Sequence, residues 1–185
     1  MIEEEYQRHR NLVDNSRFRE KLILLIQNPN LAFNLLERTH GIHSCCLGTS
    51  VYVAGRNQDV KRLWIEAGYS LDDYSNALGD YICLPDEDRP GYVGEAPMEL
   101  LQQTLNKSRI APDTLVSFYW NIPNTEKCGF RLRHSGIFLG REKGRGIFFH
   151  QKSEGERFAI TPVLDWASGF PQEWRDTMRL RFFSI

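Results

Sequence analysis

Apolar residues recur at helical spacing in the first 38 positions, where Phe18, Leu22, Leu24, Leu25 and Ile26 supply a stripe. Asp14-Asn-Ser16 interrupts it, and Asn28-Pro-Asn30 stops it before Leu31, Phe33, Leu35 and Leu36 resume on a new helix. Residues 2–38 therefore read as helical, and 1–40 as a helical extension packed on the core. A second helical pattern (Val60, Leu63, Trp64, Ala67) ends at Gly68, and Met98–Leu105 reads as a short helix. Residues 69–97 are dense in turn formers and acids, so they read as a long irregular segment of the kind that serves as a lid.

Beyond residue 110 the period changes. Pro112–Trp120 reads as a strand, Asn121–Gly129 as a connection, and Arg131–Gly140 with Gly146–Gln151 as the arms of a hairpin closed by the polar 141–146 link. Arg157–Pro162 follows as a strand, Val163–Trp166 as a short helix or turn, and Arg175–Phe183 as a last strand with Met178, Leu180 and Phe182 alternating. Helices followed by four or so antiparallel strands make an α+β fold with N-terminal helices on a central antiparallel sheet. Residues 41–185 read as one compact unit.

The hairpin is apolar at both parities: Ile137 and Leu139 beside Phe138, Ile147 and Phe149 beside Phe148. Strands of that kind are covered on both faces. Each arm nevertheless carries a histidine at the end away from the turn, His134 and His150. Imidazoles there require polar partners. An odd-length loop would put both on one face, whereas an even one would turn Gln151 toward His134.

Composition narrows the classes. With 185 residues, 41% of them hydrophobic, the chain can bury one sizeable core. A net charge of −1 and the lack of a basic block argue against nucleic acid as a partner. No apolar run suits a membrane span, and the N-terminus lacks a signal-peptide core, so a cytoplasmic location is expected, with delivery by a signal-independent export route left open. The 4 cysteines (Cys45, Cys46, Cys83, Cys128) do not form a secreted disulfide pattern.

The other candidate chemistry lies in His40–Gly55. Ser44 can cap a helix running toward Gly55, which puts Cys46 in its first turn, where free backbone N–H groups favour a thiolate. Thr49, Ser50 and Val53 give that helix a small, close-packing edge. Two other readings compete: a cysteine as a small buried hydrophobe, and His40, His43, Cys45 and Cys46 as metal ligands. Adjacent cysteines fit a zinc tetrahedron poorly, so no metal and no cofactor are expected.

Cys46-Leu-Gly-Thr-Ser-Val-Tyr-Val53, Asp113-Thr-Leu-Val-Ser-Phe118, His134-Ser-Gly-Ile-Phe-Leu-Gly140 and Ile147-Phe-Phe-His150 occur in an order that resembles the NlpC/P60 branch of the papain-like cysteine peptidases. The resemblance spans about residues 44–182. It implies a papain-like architecture with Cys46 as nucleophile, His134 as general base and His150 as the group that orients it. The chain has Cys45 where that family has aspartate before the nucleophile, and Leu47 where it has serine after it. The expected activity is a thiol peptidase or amidase attacking an amide bond in a peptide-like substrate. A deamidase or acyltransferase, or a non-catalytic binding module, would use the same scaffold.

Overall fold

A computed structural model describes residues 2–28, 46–55, 92–97, 103, 110–121, 130–151 and 157–184. Three short helices lead: α1 (Ile2–Arg8), α2 (Arg10–Asn15) and α3 (Arg19–Gln27), broken at His9 and at Ser16–Phe18. Then come α4 (Cys46–Ala54), β1 (Tyr92–Pro97), β2 (Thr114–Asn121), β3 (Phe130–Glu142), β4 (Arg145–Gln151) and β5 (Phe158–Pro162). The chain ends with α5 (Val163–Ser168), α6 (Gln172–Thr177) and β6 (Met178–Phe183). The strands form one antiparallel sheet in the order β1-β6-β2-β3-β4-β5, so the architecture is α+β.

Both faces of that sheet are covered, as the double-parity hairpin requires. One face presents Leu115, Ile137, Leu139, Ile147 and Phe149 to Val13, Leu22, Leu25 and Ile26 of α2 and α3 and to Val53 and Ala54 of α4. The opposite face presents Val116, Phe118, Phe138, Phe148, Leu180 and Phe182 to Val163 and Ala167 of α5. For brevity these are the helical face and the α5 face.

Three expectations change. Tyr92–Pro97, read as part of an irregular lid, is an edge strand paired with β6. Glycine and proline hide its alternation, and its hydrogen-bonding partner lies at the far end of the chain. The four or so strands are therefore six. The 141–146 link is mostly strand, because the arms run on to Glu142 and Arg145 and leave a two-residue turn, Lys143-Gly144. Both turn residues have positive φ, 50° and 76°, as the tight right-twisted hairpin turn demands. Arg175–Thr177, read as the start of the last strand, belongs to α6 instead. The helical readings over 31–38 and 58–68, and almost all of 98–105, lie outside the described residues.

The leading helices are tied to the sheet by polar contacts as well as by packing. The Ser16 hydroxyl donates to Asp113 Oδ1 at 2.5 Å, and the Arg17 N–H donates to Oδ2 at 3.0 Å. Glu5 accepts the Ile160 N–H at 2.8 Å, satisfying a donor on the edge strand β5.

Candidate active site

His134 lies on β3 opposite Phe118 of β2, and His150 lies on β4 opposite Gly136. The two-residue turn has even length, which by parity alone would turn Gln151 to the His134 side. A bulge reverses this: Phe138 pairs with Phe148, but Gly140 pairs with Ile147, so β3 carries one extra residue at Leu139. Nearer the turn the partners sum to an odd number, and beyond the bulge to an even one. His134 and His150 therefore share the α5 face.

Their rings meet there. His134 Nε2 and His150 Nδ1 are 2.8 Å apart, and His150 Nε2 is 2.9 Å from the Thr161 hydroxyl on β5. Both residues are buried, at 3% and 1% exposure. Trp166 of α5 stacks on His134 at 4.2 Å, and Phe148 stacks on His150 at 4.3 Å. Burial pushes the His134 pKa down to about 3, so its ring is neutral near neutral pH.

One proton lies between the two rings across the 2.8 Å contact. In one arrangement His134 Nε2–H donates to His150 Nδ1, His150 Nε2–H donates to Thr161, and His134 Nδ1 keeps a lone pair. In the other every donor is reversed and the Thr161 hydroxyl donates to His150. The first arrangement leaves His134 with a basic nitrogen, oriented from behind by His150 as that ring is by Thr161. The sequence reading missed Thr161 and Trp166. Thr161 was the accessible one, since it shares the parity of Ala159 and is the only hydroxyl in its strand.

Gln151 turns to the opposite face, where its Oε1 accepts from the Thr49 hydroxyl of α4 at 2.8 Å. Around it lies a buried polar layer: Thr49, Ser50, Ser117 and Ser135 are all at most 2% exposed. This contact fixes where α4 stands. Val53 and Ala54 join the apolar cluster of the helical face, so α4 lies on that side, opposite to the one that His134 and His150 share.

Cys46 is the first residue of α4, and its side chain lies outside the described set. The structure thus brings His134 and His150 together and puts the helix that begins at Cys46 on the other face. His40, His43 and Cys45, the remaining members of the metal reading, lie outside the described residues, as do Cys83 and Cys128. No helix among the described residues is long and apolar enough to cross a membrane.

Comparison with models of known families, with curated proteins and with solved structures gives no match.

Proposed function

We propose that this chain is a cysteine-dependent hydrolase that attacks an amide bond in a peptide-like substrate. Cys46 is the nucleophile, His134 the base, His150 the orienting group, and Thr161 the hydroxyl that closes the chain behind it. The thiolate adds to the carbonyl carbon, and backbone N–H groups at the start of α4 hold the resulting oxyanion. His134 gives the proton to the departing amine, and water then cleaves the thioester. Release of ammonia from a side-chain amide, or capture of the acyl group by another amine, would use the same first step. The observation that carries this reading is the His134–His150–Thr161 hydrogen-bonded chain, because a proton-transfer base needs a ring held in one orientation.

Alkylation by iodoacetamide tests the reading. If thiol and imidazole meet, Cys46 reacts selectively, and its rate persists well below the ordinary thiol pKa of about 8.5. His134→Ala should then return the reaction to that ordinary pH dependence, and Cys46→Ala should abolish turnover of amide substrates while Cys45→Ala spares it. Cys46 labelling no faster than the other cysteines, and indifferent to His134→Ala, sinks the proposal.

A second reading is a non-catalytic binding module in which the histidine pair is structural. The face relation favours it: α4 contacts the sheet through Thr49 and Gln151, while both rings are enclosed on the α5 face. It expects His134→Ala to change stability without touching thiol reactivity.

A further inference from the structure

Burial changes along the hydrogen-bonded chain behind His134. His134 and His150 are 3% and 1% exposed, whereas Thr161, at the far end, is only partly buried and sits on β5, an edge strand of the sheet. Thr161 also lines a cavity of about 350 Å³ between α1, the tip of the β3–β4 hairpin and the start of α5. Three carboxylates (Glu5, Glu142, Asp165) balance three cations (Arg8, Lys143, Arg145) around it. A cavity of that size, polar and without surplus charge of either sign, suits water rather than an ion.

Every link of the chain can accept a proton and pass one on. An imidazole does so with its two ring nitrogens, and a hydroxyl does so at one oxygen. The contacts of 2.8 and 2.9 Å are ordinary hydrogen bonds along which protons pass. Trp166 stacked on His134 and Phe148 stacked on His150 keep the two rings in place.

We propose that His134 exchanges protons with solvent from behind, through His150 and the Thr161 hydroxyl to water in this cavity. A proton arriving at His134 Nδ1 sends the Nε2 proton to His150 Nδ1. His150 Nε2 then gives its proton to Thr161 Oγ1, and the hydroxyl releases to water the proton it held. One proton enters, one leaves, and the chain ends with every donor reversed. Because the protons move together, neither ring has to carry a positive charge, so the burial that disfavours a charged His134 does not block the route. The inference concerns these three residues and does not depend on Cys46 chemistry.

Hydrogen exchange of the imidazole N–H groups, followed by NMR on the full chain, tests this. Protection, the free-group rate divided by the observed rate, puts ring and backbone groups on one scale. In the wild type the ring protons should be about tenfold less protected than the backbone amides of Phe149 and His150 on the same strand. The His150 ring proton, next to Thr161, should also be less protected than that of His134. Thr161→Val keeps the shape without the hydroxyl and should raise ring protection about tenfold, while Thr161→Ser should stay close to the wild type. A merely structural hydroxyl predicts the opposite sign, because its loss loosens the packing and speeds exchange. Should Thr161→Val not fold, the order of the two rings in the wild type still decides. Ring protons as protected as the amides, His134 exchanging before His150, or exchange unchanged or faster in Thr161→Val overturns the proposal.

Discussion

A neutral histidine sealed between tryptophan and phenylalanine rings makes the molecule sensitive to acid. The His134 pKa falls from an ordinary 6.5 to about 3 because the folded state desolvates its charged form. Between those limits the unfolded chain takes up a proton that the folded chain refuses. The stabilisation from this group is complete above pH 6.5 and is lost as pH falls toward 3, at up to ~1.4 kcal/mol per pH unit. His134→Gln keeps an amide that can bond His150 but has no titrating ring. The denaturation free energy of the wild type should therefore drop more steeply from pH 6 to pH 4 than that of His134→Gln. Parallel slopes would mean that the ring is protonated in the folded protein. The same pair of proteins also bears on function, because a thiolate beside His134 would raise its pKa and flatten the slope.

At the scale of elements, the hairpin holds the pair in place, and Gly136 is its tightest point. A Cβ there would stand 2.4 Å from a Phe148 ring carbon and 2.8 Å from the Phe149 carbonyl oxygen. Neither can yield: Phe148 is wholly buried and stacks on His150, and the carbonyl is part of β4. Gly136→Ala should cost about 1–3 kcal/mol by overpacking, and it should also disturb the His150 ring signals. A variant as stable as the wild type, with those signals unmoved, would show that the strands separate freely at this point. The arms of this hairpin were legible in the sequence because β-branched and aromatic runs are local signals. That both faces are buried was legible in the two parities. The loop was not: the polar run from Arg141 to Gly146 looks like a turn, and only pairing shows four of its residues in strands. Nor was the bulge at Leu139, which undoes the even loop. An extra residue in an apolar run leaves no mark on composition. The edge strand β1 was missed for a related reason, since Tyr92–Pro97 becomes a strand only beside β6. At the candidate site, sequence parity was enough to raise the meeting of His134 with His150. It could not reveal that α4 crosses the opposite face, because helix spacing alone does not say which side of a sheet a helix will cover.

On the scale of the whole molecule, α2 and α3 are part of the core. Val13, Leu22, Leu25 and Ile26 are at most 3% exposed, and they share one apolar cluster with Ile137, Phe149 and Ile160. Asp113 anchors this layer from the start of β2, accepting from Ser16 and Arg17 with its own φ at 66°. Asp113→Ala removes both acceptors, leaves the part-buried Ser16 hydroxyl without that partner, and puts alanine where aspartate and asparagine are better tolerated. A loss of about 2–4 kcal/mol is expected by denaturation. Asp113→Asn keeps one acceptor oxygen and should lose less. Removal of residues 1–28 is the stronger test. It uncovers the helical face of β3, β4 and β5 and strips Glu5 from the edge at Ile160, and an exposed apolar sheet with an open edge associates with its own kind. The truncated chain should aggregate, or bind a hydrophobic dye and unfold without a sharp transition, while Asp113→Ala remains monomeric with a lowered midpoint. If the truncated chain were monomeric with the wild-type midpoint, the helices would be a separable appendage, and the apolar contacts of Leu22 and Leu25 would contribute nothing to the sheet beneath them.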